Sequence, residues 1–328
     1  MTTERTTTRT TGSTTGSTTG STASSTTAVA SDVTFDLRAV LAEMGQATSR
    51  LNAINACEAN AGNISVTVPT TDAVAGQLDE IFPDSEPYAL PTDVPALRGR
   101  TVLVSGSQQR LREIEANPTA IVGAVVIDAA GGAVVRSAPD RAFARPTSES
   151  NSHLAVHNDY LARSGQNDHL ARTGHNDHLA RTGHTGIHAV VHAHAPYTTT
   201  LSHQFAGRFE AGADPLDFAR MIMRWEPELV VHVPHGIGFL PYEVPGSKKL
   251  EEASVAGLRV ASIVAWAKHG VLARSEKGPL GAVDLIEFIE TGARFELDNQ
   301  RLGNVASGLT DAEIAEIITS FGVEASVY

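Results

Sequence analysis

Cysteine is almost missing from this sequence, whose 328 residues include only Cys57. A single thiol cannot build an intrachain disulfide framework, so we expect a reducing compartment, the cytoplasm. Basic residues are also few, with 25 Lys and Arg against 37 Asp and Glu and a formal net charge of -12. This charge argues against nucleic acid or an anionic membrane surface as a partner. No apolar run of about 18 residues occurs, so no transmembrane helix is predicted.

Several cofactor and catalytic signatures are missing as well. The sequence has neither a GxxxxGK[ST] phosphate loop nor a GxGxxG turn between a strand and a helix, so a nucleotide cofactor is not indicated. A GxSxG turn is also missing, which leaves a serine hydrolase without support. The hydrophobic fraction of 41% is nevertheless sufficient for a full-sized core.

The chain divides into a polar tail and one predicted domain. Residues 1–31 are almost entirely Thr, Ser, Gly and Ala, and we predict that they are disordered because they bury too little apolar area to offset ordering entropy. Residues 32–328 alternate between helical and strand patterns, which predicts a single α/β domain. Helices are predicted near residues 35–51, 152–162, 247–260, 281–297 and 310–321. Strands are predicted at 60–69, 101–106, 119–128, 187–195, 228–234 and 261–270.

Residues 158–184 contain three copies of a nine-residue unit, NDYLARSGQ, NDHLARTGH and NDHLARTGH. The period is too short for a helical solenoid, and one helix through all copies would turn successive leucines to alternating sides. We interpret the segment as a local duplication that lengthens a connection between a helix and a strand. Its histidines are interpreted as solvated residues, with a metal-buffering module as the alternative: His169, His175, His178 and His184.

Two histidines, His192 and His194, end a β-branched run that predicts a strand. Alternate residues of a strand face the same side, so both imidazoles can converge on one ion. Taken alone, the pair is explained equally well as a metal site or as two histidines on the half-polar face of a strand. A third imidazole comes from His269, which closes another predicted strand ahead of Gly270. Three imidazoles suit a catalytic zinc ion with an open coordination position.

Three further segments carry candidate functional groups. In the PTSE segment, Glu149 precedes a predicted helix and could act as an acid/base, as a fourth metal ligand, or only as a first-turn acid of that helix. The turns at 60–63 and 105–107 offer amide and hydroxyl donors. They could bind a phosphate, or they could be ordinary turns.

Taken together, these segments resemble the class II aldolase/adducin family. The resemblance rests on NAGNIS, SGS, PTSE, VVHAHA, HVPHGIGFLPYEVPG and AWAKHGVLARS, which follow one another in this order. Within the family the GFLPYEVPG stretch is most similar to the rhamnulose-1-phosphate aldolases, while Gln108 and His235 depart from their pattern. The resemblance implies an α/β fold in which helices flank a central, mainly antiparallel β-sheet.

The resemblance also implies a reaction and a set of site residues. The reaction is zinc-dependent retro-aldol cleavage of a ketose 1-phosphate, rhamnulose 1-phosphate, to dihydroxyacetone phosphate and an aldehyde such as lactaldehyde. One Zn²⁺ per subunit would be held by His192, His194 and His269. Glu149 would act as the acid/base, and Glu228 would reach a neighbouring subunit's site in a homotetramer. The substrate phosphate would be bound around Asn60, Gly62, Asn63, Ser107, Thr147 and Ser148. An epimerase or dehydratase on the same scaffold, or a non-catalytic adducin-like domain, is the alternative.

Overall fold

The computed structural model describes residues 35–166 and 187–328. The predicted disordered tail at 1–31 and the second and third copies of the nine-residue unit lie outside the described residues. The strands are β1 (Asn63–Pro69), β2 (Asp84–Pro87), β3 (Arg100–Ser105), β4 (Val122–Ile127), β5 (Ala133–Ser137), β6 (His188–Ala193), β7 (Ile237–Leu240), β8 (Ile263–Trp266) and β9 (Gly270–Ser275).

The helices precede, connect and follow these strands. They are α1 (Leu37–Ala53), α2 (Asp72–Ile81), α3 (Pro118–Ile121), α4 (Ser150–Gln166), α5 (Pro196–Glu210), α6 (Leu216–Met223), α7 (Pro227–His232), α8 (Lys248–Leu258), α9 (Gly278–Arg301) and α10 (Asp311–Phe321). Two single turns of 3-10 helix, Pro95–Leu97 and Leu111–Glu113, complete the described elements. Within residues 35–166 and 187–328, no helix is long and apolar enough to cross a bilayer.

The strands form one nine-stranded sheet in the order β2-β5-β4-β3-β1-β6-β9-β8-β7. Seven of its eight strand pairings are antiparallel, and only β7 with β8 is parallel. The expectation of a mainly antiparallel sheet flanked by helices is therefore confirmed. The centre of the sheet is β1 paired with β6, so the NAGNIS and VVHAHA segments lie side by side.

The two faces of the central strands differ in chemistry because successive side chains of a strand point to opposite sides. On one face Ile64, Val66 and Val191 belong to the large core that α1 and α9 cover. On the other face Val190 packs with Val156 of α4 and with residues of α8. The polar residues of β1 and β6 share this second face, which places them against α4.

Helix α4 begins directly after Glu149 and continues through the first copy of the repeated unit. Within that copy the Asn158 side chain accepts a hydrogen bond from the Ala96 backbone N–H at 2.8 Å. Asp159 pairs with Arg163 one turn later and with Arg259 at the end of α8. These contacts hold the first copy in the helix, so the predicted helix after Glu149 is confirmed and reaches residue 166.

Three details of the predicted strands are wrong. Residues 228–234 were expected as a strand, but Pro227 occupies the first turn of α7, where its fixed φ suits a helix. Leu229 and Val230 of this helix are buried, since α7 packs on α9 and α10. Residues 119–121 belong to the short helix α3 rather than to β4. The stretch 261–270 holds β8 and the turn that leads into β9, because Lys268 adopts a positive φ of 67° after the end of β8.

Candidate functional site

Three histidines converge beside the end of β6. His192 is the last but one residue of the strand, and His194 follows the strand by one residue. His269 was expected at a strand end, but it lies in the turn between β8 and β9. Because β9 pairs with β6, this turn comes next to the end of β6. One ligand atom from each of the three side chains lies within 4.8 Å of the others.

Gly270 allows the turn to approach β6 this closely. A Cβ at this position would overlap the Ala193 carbonyl oxygen and lie 3.0 Å from the His192 Cε1 atom. Backbone atoms cannot move aside as a flexible side chain can, so any larger residue would push the turn away from the strand. The glycine that follows His269 therefore positions His269 beside His192.

Hydrogen bonds orient two of the imidazole rings. His192 Nδ1 lies 2.8 Å from the Val271 carbonyl oxygen, which can only accept, so Nδ1 carries the proton. His194 Nδ1 lies 2.8 Å from Glu58 Oε1 and donates in the same way. The Nε2 atom of each ring is thereby left as a lone-pair donor. This arrangement, with the second ring nitrogen held by a carbonyl or carboxylate, is typical of metal-ligating histidine.

Burial favours the neutral form of His192 and His269. It lowers the pKa of His192 to about 3, and the neighbouring His194 acts in the same direction. The pKa of His269 is lowered to about 4, again mainly by burial and then by His192. Only the neutral imidazole can ligate a metal ion. Three imidazoles in this spacing form a group that could hold a divalent metal ion.

The Glu149 carboxylate faces these imidazoles. Its Oε2 lies 3.6 Å from His192 Nε2, and its Oε1 lies 3.7 Å from His269 Nε2. The residue is only 4% exposed. Asn63 Nδ2 donates a hydrogen bond to Oε2 at 2.8 Å. The PTSE glutamate is therefore held at the histidine cluster, although 43 residues separate it from His192 along the chain.

One cavity of about 360 Å³ joins these groups to the two predicted phosphate turns. All the predicted site residues except Glu228 line it: Asn60, Gly62, Asn63, Ser107, Thr147, Ser148, Glu149, His192, His194 and His269. Its lining also includes Arg145 and Gln108, which the sequence reasoning did not select for the site. The position of Arg145 directly before the PTSE segment is a signal that could have identified it.

Backbone contacts hold the 105–107 turn against the PTSE segment. The Thr147 N–H donates to the Ser105 carbonyl oxygen at 3.1 Å, and the Ser107 N–H donates to the Arg145 carbonyl oxygen at 2.9 Å. The Ser105 hydroxyl accepts from the Ile64 N–H at 3.1 Å, which ties the turn to β1. Hydroxyl groups from two separate segments are thus brought together on one wall of the cavity.

A family profile matches most of the chain. The Class II Aldolase and Adducin N-terminal domain matches residues 42–297. The chain belongs to this family. The family's members are typically metal-dependent, and the histidine cluster is a group that could hold the metal.

Relatives and solved structures agree with this assignment. The rhamnulose-1-phosphate aldolase of Bacteroides thetaiotaomicron is 26% identical over 270 residues, which cover 81% of this chain and 88% of the relative. A sugar-phosphate aldolase from Thermotoga maritima has a similar fold, with a TM-score of 0.61 and 22% identity over 81% of this chain and 97% of that one. An L-fuculose 1-phosphate aldolase has a TM-score of 0.51 at 18% identity, covering 89% and 100% of the two chains.

Glu228 lies apart from the class II aldolase cavity of its own chain. It is exposed on α7 and lines a different cavity of about 650 Å³, together with Arg50, Glu226 and His232. The expected role of Glu228 in a neighbouring subunit therefore stays a prediction.

Removing the Glu58 carboxylate should weaken metal binding. Without an acceptor for its Nδ1 proton, the His194 ring loses its fixed tautomer and part of its basicity, so we expect the metal dissociation constant of Glu58→Ala to rise about tenfold. Competition with a chromogenic chelator measures this constant. Glu113→Ala, which removes a carboxylate that pairs with Arg110 and does not line the cavity, is the matched control. Equal affinities for wild type and Glu58→Ala would show that Glu58 does not support His194.

Proposed function

We propose that this chain is a zinc-dependent aldolase that cleaves rhamnulose 1-phosphate to dihydroxyacetone phosphate and lactaldehyde. In this reaction the bond between C3 and C4 of the ketose breaks. The C4 hydroxyl loses its proton and becomes the aldehyde. The electron pair of the broken bond stays with C3, which then takes up a proton to give dihydroxyacetone phosphate.

The observation that carries the proposal is the position of Glu149. Its carboxylate faces the Nε2 atoms of His192 and His269 at 3.6 and 3.7 Å, inside a cavity whose lining includes hydroxyl groups from two other segments. A proton acceptor at a histidine cluster that could hold a metal ion, next to hydrogen-bond donors for an anion, is the combination that cleavage of a ketose phosphate requires. General acid–base catalysis needs the group to lie within hydrogen-bond reach of the substrate carbon, and a cavity of this size holds the substrate against it.

The histidines supply the metal ligands in this proposal. A zinc ion held by His192, His194 and His269, one per subunit, would stabilise as a Lewis acid the negative charge that develops on the substrate oxygens. Because both oriented rings carry their protons on Nδ1, their Nε2 atoms are free to ligate.

Phosphate binding and proton transfer are assigned to other residues of the site. Asn60, Gly62, Asn63, Ser107, Thr147 and Ser148 would bind the phosphate. Glu228 of a neighbouring subunit would take the proton of the C4 hydroxyl and release it to solvent. Glu149 would take up a proton from solvent and give it to C3. The exposure of Glu228 supports its role as the base for the C4 hydroxyl of a neighbouring subunit's substrate, since only an exposed carboxylate can reach the site of another chain. We therefore propose a homotetramer, and the single cysteine supports a cytoplasmic location.

The substrate assignment is supported by the relatives. The Bacteroides thetaiotaomicron enzyme that matches 81% of the chain is named for rhamnulose 1-phosphate. The fold is shared with a fuculose-phosphate enzyme, so the fold alone does not choose the sugar.

Measuring dihydroxyacetone phosphate release tests the proposal. We expect release from rhamnulose 1-phosphate to exceed release from fuculose 1-phosphate at equal concentrations. The reverse order would move the assignment to fuculose 1-phosphate. Conversion of a sugar phosphate without dihydroxyacetone phosphate would indicate an epimerase or a dehydratase, and no conversion would favour a non-catalytic adducin-like domain.

Arg145→Met should impair binding of the substrate phosphate. Arg145 is the only Lys or Arg among the described residues that line the cavity. A hydrogen bond to a charged group contributes about 1.5 kcal/mol at the low end of its range, so we expect KM to rise about tenfold. The expected kcat stays within about threefold of wild type, since the described residues show no hydrogen bond or ion pair from the Arg145 side chain to Glu149 or the histidines. Steady-state kinetics measures both. Arg110→Met, outside the cavity lining, is the control. An unchanged KM would exclude a phosphate-binding role for Arg145.

A further inference from the structure

Behind Glu149, a row of buried polar side chains leads away from the cavity. Asn63 contacts Glu149 on one side and His153 Nε2 on the other. His153 Nδ1 lies 2.7 Å from the Ser65 hydroxyl, which lies 2.8 Å from His157 Nε2. His157 Nδ1 lies 2.7 Å from His188 Nδ1. These hydrogen bonds form one unbranched series, which we name the Glu149 chain (Glu149, Asn63, His153, Ser65, His157 and His188).

The strand pattern explains why these groups meet. Asn63 and Ser65 are alternate residues of β1, so they share the face that lies against α4. His188 lies on the same face of the neighbouring strand β6, four residues before His192. His153 and His157 are one turn apart on α4 and therefore share a helix face. The Glu149 chain thus connects the helix that follows Glu149 to the two strands that carry Asn63 and His192.

The chemistry of the end groups fixes the direction of every hydrogen bond in the Glu149 chain. The Asn63 NH₂ group donates to Glu149, so the Asn63 carbonyl oxygen, which only accepts, faces His153. His153 must then donate from Nε2 and accept at Nδ1 from the Ser65 hydroxyl. Because a hydroxyl has a single proton, Ser65 accepts from His157 Nε2–H. His157 Nδ1 in turn accepts from His188 Nδ1–H.

The three imidazoles are suited to this arrangement because they are neutral. Burial lowers the pKa of His153, His157 and His188 well below the ordinary histidine value. A neutral imidazole has one donor and one acceptor, which is what each place in the series requires. The atom left over is His188 Nε2, which is buried and has no partner among the described residues. In the derived direction this atom is an acceptor, which proteins leave unpaired more readily than a donor.

We infer that His153 is a positioning residue for Glu149. Its Nε2–H holds the Asn63 carbonyl oxygen, so the Asn63 amide cannot rotate and its NH₂ group keeps the Glu149 carboxylate aimed at the histidine cluster. The Asn63 amide does not readily pass a proton along, so the Glu149 chain orients the carboxylate rather than conducting protons. This inference rests on the proposed acid/base role of Glu149.

Two substitutions of His153 separate positioning from folding. Gln places its amide near the position of the ring Nε2 and can still donate to Asn63, whereas Asn places its amide near Nδ1 and keeps only the contact with Ser65. Each variant loses one of two buried hydrogen bonds, so we expect similar decreases in Tm. The expected kcat of His153→Gln stays within about threefold of wild type, and that of His153→Asn falls about tenfold or more, since small misplacements of a catalytic group are costly. KM and metal content should be unchanged in both.

The outcomes of the kinetic test separate this inference from the proposed function. Equal kcat values for the Gln and Asn variants, with Glu149→Gln strongly impaired, would overturn the role of His153 and leave the proposed function standing. A Glu149→Gln variant as active as wild type would overturn the proposed function itself.

The ring nitrogen that carries the proton in each of the three buried histidines can be measured on the wild-type protein, without an activity assay. Imidazole ¹⁵N spectra of the full-length protein, labelled with ¹⁵N-histidine, should show protons on Nε2 of His153 and His157 and on Nδ1 of His188. A proton on Nδ1 of His153, or a charged ring at any of the three places, would contradict the derived direction.

Discussion

Replacing Glu149 with Gln should lower kcat about 1000-fold while leaving KM and the bound metal nearly unchanged. The substitution keeps the size of the side chain and its acceptor for Asn63 Nδ2, but it removes the group that exchanges a proton with the substrate. General acid–base groups contribute about 10²–10⁴-fold to rate, which sets the expected magnitude. Steady-state kinetics on rhamnulose 1-phosphate, with metal content measured on the same preparation, gives all three quantities.

Glu296→Gln is the matched control for this substitution. The Glu296 carboxylate accepts a hydrogen bond from Trp225 Nε1 at 2.9 Å, and Glu296 does not line the cavity that holds Glu149. Its loss should leave kcat within about twofold of wild type. If Glu149→Gln and Glu296→Gln turned over substrate equally fast, Glu149 would not be the acid/base.

Replacing His194 or His269 with Ala should remove the metal and the activity together. Two imidazoles hold a zinc ion far more weakly than three, so we expect less than about one tenth of the wild-type metal after dialysis, and kcat at least about 1000-fold lower. Elemental analysis of the dialysed proteins measures the metal. Rates that recover in a large excess of zinc would confirm that the loss arises from weakened binding rather than from misfolding.

His203→Ala is the control for the histidine variants, because His203 is exposed on α5 and does not line the cavity. It should retain one metal ion per chain.

A wild-type metal content well above one ion per chain, which returned to one on deletion of residues 158–175, would instead support the metal-buffering module considered for the repeated unit. A wild-type metal content unaffected by the His194 and His269 substitutions would contradict the assigned ligands.

Much of the site could be predicted from the sequence because its signals are local. A strand places His192 and His194 close together whatever surrounds them, and the residue types alone suggest a metal. The turns at 60–63 and 105–107 follow from Gly, Asn and Ser, whose side chains and backbone freedom favour turns. The family resemblance then joined these segments to the PTSE glutamate.

The secondary structure predicted from the sequence is wrong where tertiary contacts decide the local structure. The β-branched residues Val230 and Val231 predicted a strand, but Pro227 and the packing of α7 on α9 and α10 favour a helix. His269 lies in a turn because Lys268 adopts a positive φ and Gly270 lets the backbone approach Ala193, and neither feature is visible in hydrophobic periodicity.

The contacts that orient Glu149 could not be predicted from sequence patterns. The hydrogen bond between Asn63 and Glu149 joins positions 86 residues apart, and His153 and Ser65 are 88 residues apart. On its own, His153 would be interpreted as a polar residue on a helix face. Only the pairing of β1 with β6 and the packing of α4 on their polar face place these groups in one series.

The most direct test of the account is the release of dihydroxyacetone phosphate before and after removal of the metal. Protein treated with a chelator and dialysed should lose its activity on rhamnulose 1-phosphate and regain it when about one equivalent of zinc per chain is added. Borohydride added during turnover should leave the protein unmodified, since no lysine forms an imine with the substrate. Cleavage that persists in the metal-free protein, together with a borohydride-trapped adduct on the chain, would contradict the account.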